Sequence, residues 1–316
     1  MLIKEADSRE ADIAALAGLL AQARNHARTR QRIEEELRNV RAGIAGEREA
    51  AHEIDFYYGT SPKYAIIHDL RLEMDGRVAQ IDHLLIARFL AIWVCETKHF
   101  AEGVGVNERG EWVSYWHRRP RGIPSPVEQN RKHQTILQDI FEKGVIPLPK
   151  RLGMTVKPEV RGLVLVSNRA TISRPVGRKT EHLDGLDSVI KADQLDETVQ
   201  RQVEGMLNTA GGAVRAMARF VSVAELRNFS QQLAALHKPT ASDWPARFGL
   251  RGSPRPTSAD EEGLAVAGAS TGNSCVRCHA TVSERVAAYC AAHPDRFGGQ
   301  ILCFKCQRGG SADTQA

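Results

Sequence analysis

Two adjacent apolar runs dominate the first third of the chain. Residues 81–87 and 90–96 flank a short turn, and both are rich in residues suited to a buried, pleated surface. We therefore predict an antiparallel hairpin. If the turn centres on Phe89, the numbers of cross-strand partners sum to 178. Asp82 then lies opposite Glu96, and Gln80 lies opposite Lys98.

Side chains alternate between the two faces of a strand, so Glu96 and Lys98 share one face. The hairpin thus gathers two carboxylates and one ammonium at one end. Neighbouring carboxylates repel each other, and a divalent cation removes that conflict. Mg²⁺ suits such a site because it prefers oxygen ligands and is commonly held by one or two carboxylates. The alternative is a strand that turns polar as it leaves the core, with Glu96 and Lys98 as a surface ion pair.

Further elements follow from the same patterns. A helical stretch covers residues 9–57, strands are predicted at 64–72, 112–116 and 160–167, and Asp75-Gly76 marks a hairpin turn. Pro126 opens a helix that runs to Glu142, a short strand and helix follow at 187–206, and another helix covers 221–237. The order predicts an α/β fold in which one helix precedes three antiparallel strands.

One charge interrupts an apolar helical stripe. Glu47 falls at helical spacing among Val40, Ile44, Ala51 and Ile54. A lone Glu in such a stripe usually sits at its edge and reaches water. Gly43 and Gly46 weaken a helix, which indicates close packing against the sheet.

Five stretches in this order resemble the nuclease-related domain (NERD) family of the PD-(D/E)xK nuclease superfamily. They cover roughly residues 40–200 and are Gly43-Ile-Ala-Gly46-Glu47, Gln80-Ile-Asp82-His83, Val94-Cys-Glu96-Thr-Lys98, Trp112 and Pro126-Val-Glu-Gln129-Asn130. One departure is His99, where the family more often has Asn; the metal-binding residue types are intact.

The resemblance implies a restriction-endonuclease-like α-β-β-β core with a mixed sheet flanked by helices. It also implies that Asp82 and Glu96 bind Mg²⁺ or Mn²⁺, helped by Glu47, and that Lys98 activates the water. Gln129 resembles an auxiliary polar residue of the site; the alternative is a capping or surface Gln.

Basic residues near this region are candidates for contacts with nucleic acid. Arg118, Arg119 and Arg121 form a cluster beside aromatic residues, and Lys132 lies on the predicted helix from Pro126. Such residues bind phosphates or stack on bases. A solvated loop is the alternative for the arginine cluster. Arg174, Arg178 and Lys179 form a second basic group.

Four cysteines near the C-terminus have the spacing of a zinc site. Cys275 and Cys278 form one CxxC pair, and Cys303 and Cys306 form the other. Four thiolates suit tetrahedral Zn²⁺, and a closed site of this kind is structural. We predict a zinc-ribbon or treble-clef-like module that needs its metal to fold. Arg277, Lys305 and Arg308 beside the ligands could contact nucleic acid, and a protein contact is the alternative.

Composition adds little but is consistent with these predictions. The 316 residues carry a net charge of +5, which permits nucleic-acid binding without demanding it. No apolar signal core and no run of about 18 apolar residues occurs, so we expect a cytoplasmic protein without a membrane partner. No Gly-rich GxxxxGK[ST] loop is present, which argues against intrinsic ATP use.

The expected domain organisation has five parts. They are a helical arm at 1–39, the nuclease-like domain at 40–237, a flexible linker at 238–272, the zinc module at 273–309 and a disordered tail at 310–316.

The function expected from the resemblance is Mg²⁺-dependent hydrolysis of phosphodiester bonds. DNA is the favoured substrate, and RNA is the alternative. The alternatives are a catalytically inactive nucleic-acid-binding module on the same fold and a protein-docking module. A homodimer, or a protein partner bound through the N-terminal helix or the zinc module, also stays open.

Overall fold

The computed structural model describes residues 1–23, 26–151, 153–175, 183–239, 242–250, 274–303 and 306–307. The chain forms two compact units, residues 1–252 and 253–316. Arg178 and Lys179 of the second basic group lie outside the described residues.

Twelve strands lie in the described residues. They are β1 (Leu2–Lys4), β2 (Tyr64–Met74), β3 (Arg77–Ala87), β4 (Ala91–Lys98), β5 (Gly103–Val106), β6 (Trp112–Trp116), β7 (Arg119–Ile123), β8 (Lys150–Arg151), β9 (Met154–Thr155), β10 (Glu159–Val166), β11 (Thr171–Ser173) and β12 (Val189–Lys191).

The same part of the chain contains nine α-helices. They are α1 (Glu10–Gln22), α2 (Ala27–Tyr58), α3 (Pro126–Glu142), α4 (Leu195–Leu207), α5 (Gly212–Arg219), α6 (Val223–Ala234), α7 (Trp244–Arg247), α8 (Glu284–Ala292) and α9 (Pro294–Phe297).

A six-stranded mixed sheet forms the centre of the first unit, in the order β1-β2-β3-β4-β10-β12. β2, β3 and β4 are antiparallel neighbours, whereas β1 and β10 pair parallel to β2 and β4. The predicted order of one helix followed by three antiparallel strands is confirmed by α2, β2, β3 and β4.

The predicted hairpin register is also confirmed. His83 pairs with Cys95, and Leu85 pairs with Trp93, so that partner numbers sum to 178. Ile92 and Val94 pack into the apolar cluster on one face of the sheet, with α3 and α6. Trp93 packs on the other face, with α2 and α4. This alternation places Glu96 on the α3 face at the end of β4.

Near the site, the alternation of side chains between the two faces of β2 and β3 shifts by one residue. Ile81 and Leu84 lie in the same apolar cluster although three positions separate them, and so do Ile67 and Leu70. A strict period of two would put them on opposite faces. Asp69, between Ile67 and Leu70, has a left-handed φ of 53°. The shift turns Asp82 toward the side of α2.

A second sheet of four strands, in the order β11-β5-β6-β7, continues from β4. A solvated loop was the alternative for the arginine cluster at 118–121, but Arg119 and Arg121 lie on β7. The chain reverses direction at His117 and Arg118, and β7 then pairs antiparallel with β6. Four of the five residues of β7 are Arg, Pro or Gly, so the strand has no alternation of apolar and polar residues. The hydrophobic pattern therefore could not predict this strand.

The N-terminal helices pack on the segment after α6. Leu16 of α1 and Ile33 of α2 share an apolar cluster with Trp244 and Phe248. Trp244 Nε1 donates to Asp12 Oδ1 at 2.8 Å. The flexible linker predicted at 238–272 is therefore corrected at residues 242–250, because a buried Trp anchors them. Residues 251–272 lie outside the described part of the chain, and the other domain boundaries stay predictions.

The second unit is small. Its apolar cluster contains Cys275, Val282 and Ala287, and Ser274 bridges to Thr281 in antiparallel fashion. Lys305, Arg308 and the predicted tail 310–316 lie outside the described residues. Across both units, no described helix is long and apolar enough to cross a membrane.

Candidate active site

Glu96 is the centre of the site. Its side chain ends β4, is 3% exposed, and faces the first turns of α3. Its Oε1 accepts hydrogen bonds from Lys98 Nζ at 2.7 Å and from Gln129 Nε2 at 2.6 Å. Burial alone would raise the pKa of Glu96, but His133 and Lys98 beside it hold the pKa below its ordinary value. Glu96 therefore stays ionised despite its burial.

The second oxygen of Glu96 is different. Oε2 and His133 Nδ1 lie 3.2 Å apart, and both atoms are buried without a hydrogen-bond partner. A buried carboxylate oxygen without a donor is costly, and a cation satisfies it. The sequence did not predict His133 as a site residue; the available signal was its position four residues after Gln129, on the same helical face.

Asp82 approaches Glu96 from β3. Its Oδ2 accepts a hydrogen bond from the Thr97 backbone N–H at 2.6 Å. Burial raises the pKa of Asp82 well above its ordinary value, and the negative charges of Glu96 and Glu47 raise it further. This is the conflict between carboxylates that the sequence predicted, and it is relieved by a proton or by a cation.

Glu47 reaches the same region from α2. A cavity of about 220 Å³ lies between α2 and the strands, and Glu47, Asp69 and Asp82 all line it. Burial raises the pKa of Glu47, as do the charges of Asp69 and Glu96, whereas Arg9 opposes the rise. Asp69 and Arg9 were not predicted from the sequence, because neither stands in an apolar pattern that would mark it as inward-facing.

Close packing holds α2 against the end of β4. A Cβ added to Gly46 would lie 3.0 Å from His99 Cβ, so the glycine lets the two elements meet. The expectation of close packing is confirmed at Gly46. It is not confirmed at Gly43, where the nearest atom to an added Cβ is Glu47 Oε1 at 4.0 Å.

Asn130 fixes α3 on the other face. The residue is 2% exposed, and its Nδ2 donates to Val94 O at 2.9 Å and to Leu163 O at 2.7 Å. It thereby ties the helix to β4 and β10 at once. Ser125 caps the helix, with its Oγ accepting from Glu128 N at 3.2 Å. These contacts set the position of Gln129, which directly precedes Asn130.

The predicted nucleic-acid-binding residues lie apart from this cluster. Arg118, Arg119 and Arg121 are exposed on the β6–β7 hairpin, and Lys132 is exposed on α3. Within the described residues, their side chains make no hydrogen bond or ion pair. The structure thus brings together Glu47, Asp82, Glu96, Lys98 and Gln129, but not these four cations.

The four cysteines of the second unit converge. The sulfurs of Cys275, Cys278, Cys303 and Cys306 all lie within 4.8 Å of one another. Cys278 Sγ and Cys303 Sγ are 3.5 Å apart, which is a contact between free thiols. Backbone hydrogen bonds, the largest from Cys303, lower the pKa of Cys275 to about 6, while the neighbouring thiols Cys278 and Cys303 raise that of Cys306 to about 12. The cluster could hold a metal ion.

In the described part of the chain, this is the one group of at least three Cys, His, Asp or Glu ligand atoms so close together. The carboxylates near Glu96 are spaced more widely. Such spacing suits a hard cation that keeps part of its water shell and takes only one or two carboxylates.

The comparisons with known proteins are consistent with this geometry. The model of the family described as "nuclease-related domain" matches residues 42–167, a range that contains all five clustered residues. No curated protein and no solved structure matches the chain. Residues 42–167 of this chain thus match the nuclease-related domain (NERD), and they lie in a mixed α/β fold flanked by helices.

Proposed function

We propose that the protein is a Mg²⁺-dependent nuclease that hydrolyses phosphodiester bonds in DNA. One observation carries this proposal. The buried carboxylate of Glu96 has one oxygen held by Lys98 and Gln129 and a second oxygen without a hydrogen bond, inside a nuclease-related domain.

The residues present fit a hard divalent cation. Asp82 and Glu96 would hold it, with Glu47 in support, and Mn²⁺ would substitute for Mg²⁺. The charge repulsion that raises the pKa of Asp82 and the Oε2 of Glu96 that accepts no hydrogen bond are two costs that the same ion removes. When bound, such an ion polarises a phosphoryl oxygen and acidifies a water molecule.

The chain itself supplies the remaining steps. Lys98 orients the attacking water and offsets the charge that develops on the phosphate. Gln129 holds Glu96 so that its second oxygen points away from Lys98. In the reaction, a water oxygen bonds to phosphorus, the bond from phosphorus to the leaving sugar oxygen breaks, and the proton lost by the water is balanced by one gained at that oxygen. Arg118, Arg119, Arg121 and Lys132 would bind backbone phosphates of the substrate.

The test is cleavage of supercoiled plasmid, linear duplex, single-stranded DNA and RNA with Mg²⁺ or Mn²⁺. Asp82→Asn and Lys98→Met keep side-chain size but remove the charge, and we expect each to lower the rate by about 100-fold or more. Lys63→Met, at an exposed lysine outside the site, is the matched control and should cleave like wild type.

Two outcomes would contradict the proposal. Cleavage that survives in both site variants would place the chemistry elsewhere. A wild type that binds nucleic acid but cleaves none of the four substrates with either metal would favour the catalytically inactive binding module.

For the second unit, we propose a structural Zn²⁺ held by the four cysteines. Its closed set of four thiolates leaves no position for a substrate. Metal analysis of the purified protein should find one zinc per chain, and Cys303→Ser should lower that content. An unchanged zinc content in this variant would contradict the four-cysteine site.

A further inference from the structure

The β6–β7 hairpin carries a continuous strip of side chains on one face. Facing residues on paired strands point to the same side, and positions two apart along a strand share that side. The strip therefore consists of three cross-strand pairs: Trp112 with Ile123, Ser114 with Arg121, and Trp116 with Arg119.

The two ends of this strip are unlike each other. At the inner end, Trp112 and Ile123 pack with Val127 in the first turn of α3. Val127 precedes Gln129, which hydrogen-bonds Glu96, by two residues. The strip therefore starts at the helix that carries the site and runs outward from it.

At the outer end, an aromatic ring lies in solvent among cations. Trp116 is 51% exposed, and Arg119 and Arg121 beside it are exposed as well. Several arginines elsewhere on the described surface pair with acids, as Arg77 does with Asp139 at 2.5 Å. The strip arginines have no such partner among the described residues. Their charge is available to an anion.

The turn beyond Trp116 is held rigidly. His117 and Arg118 both have left-handed backbones, with φ of 48° and 59°. Their backbone N–H groups donate to the Glu102 carboxylate at 2.6 and 2.8 Å. The His117 ring meets Trp116 edge-on, with 5.3 Å between ring centroids. The indole is thus presented from a fixed hairpin tip, which reduces the ordering cost of binding.

We propose that this strip binds an unpaired strand of nucleic acid, with one base stacked on Trp116 and the flanking phosphates on Arg119 and Arg121. Stacking on a side chain needs a base whose face is free, and bases inside a duplex are covered by their neighbours. Arginines alone would bind duplex and single strand alike. From the exposed indole we therefore infer that the substrate of the proposed nuclease is single-stranded DNA or a duplex with a single-stranded end. This inference rests on the proposed function.

Tryptophan fluorescence gives a direct test, because the chain has four tryptophans and the other three are buried. Single-stranded oligonucleotide, added without Mg²⁺ or Mn²⁺ so that no cleavage occurs, should quench the emission more than blunt duplex does. Trp116→Phe should remove this quenching while keeping most of the affinity.

Affinity measured by fluorescence anisotropy completes the test. Trp116→Ala should weaken binding of the single strand by about 5- to 150-fold, with a smaller effect on blunt duplex. Arg119→Gln should lower the slope of log affinity against log salt by about 0.7. Phe56→Ala, at an aromatic that is 73% exposed on α2, is the matched control and should bind like wild type.

The proposed role of the strip is refuted if Trp116→Ala binds the single strand as tightly as Phe56→Ala does. It is also refuted if the single strand does not quench the tryptophan emission of wild type. Quenching without cleavage in Mg²⁺ or Mn²⁺ would overturn the nuclease proposal alone. Cleavage with unchanged binding in Trp116→Ala would overturn the strip alone.

Discussion

Asn130 offers a sharp test of how the site is held in place. Its Nδ2 is the donor for two buried carbonyls, Val94 O on β4 and Leu163 O on β10. Asn130→Ala removes both hydrogen bonds without touching Glu96 or Lys98. Asn130→Asp keeps the shape of the side chain but turns the donor into an acceptor that faces two carbonyl oxygens.

The expected cost follows from these contacts. A buried polar group left without its partner costs about 1–3 kcal/mol, and a carbonyl that keeps another donor falls at the lower end. Asn130→Ala should therefore lower the free energy of unfolding by about 2–3 kcal/mol. Asn130→Asp should cost about 3–5 kcal/mol at neutral pH, because a buried charge is added without a partner. The Asp variant should lose less near pH 4, where its carboxyl takes up a proton.

Urea unfolding followed by tryptophan fluorescence measures these changes, since all four tryptophans belong to the first unit. The matched control is Gln134→Ala, which removes a partly exposed donor 3.2 Å from Asn130 Oδ1 and should cost less than about 1 kcal/mol. If Asn130→Ala unfolds at the same urea concentration as Gln134→Ala, with an unchanged slope, the two carbonyl contacts do not hold α3.

Three further predictions concern other parts of the molecule. Gly43→Ala should stabilise the first unit by about 0.5–1 kcal/mol in urea unfolding, because its Cβ meets only Glu47 Oε1, at 4.0 Å. Gly46→Ala should be less stable than Gly43→Ala by about 1 kcal/mol or more, because its Cβ meets His99, and equal midpoints would contradict this close contact. Because the pKa of Asp82 is raised, the metal-free protein should lose stability as pH rises from about 4 toward that pKa. Asp82→Asn should therefore resist urea better than wild type near pH 8, with the difference vanishing near pH 4; a difference that stays constant with pH would refute the raised pKa. Removing zinc with a chelator should unfold the second unit, which is measured as faster trypsin cleavage after residue 273, while the urea midpoint of the first unit reported by tryptophan fluorescence stays unchanged. Cys303→Ser should behave like the chelated protein. Equal resistance to trypsin with and without chelator would contradict a metal-dependent fold.

The central hairpin could be predicted because two physical constraints coincide there. Alternating faces fix which side chains are buried, and the turn at Phe89 fixes the register. These two constraints suffice to place Asp82, Glu96 and Lys98 at one end of the sheet. The helix from Pro126 to Glu142 was predictable for a local reason, since its Ser-Pro start needs no tertiary contact.

The remaining parts depend on contacts that no local pattern encodes. The shift of faces at Asp69 needs two strands to kink together, and β7 is defined by its partner β6. Trp244 lies in a segment rich in Pro, Ser and Gly, so its burial against α1 and α2 depends on residues more than 200 positions away. His133 becomes a neighbour of Glu96 only when α3 is laid across the sheet.

The shared use of Glu96 Oε1 has a consequence for how the site can be dissected. Lys98 and Gln129 both donate to that one oxygen, so removing either donor leaves the other to rearrange around it. Losses measured for single variants at these three positions therefore overlap, and their sum would exceed the loss in the triple variant. The three side chains behave as one thermodynamic unit, and only a full set of double-variant cycles can divide its free energy among them.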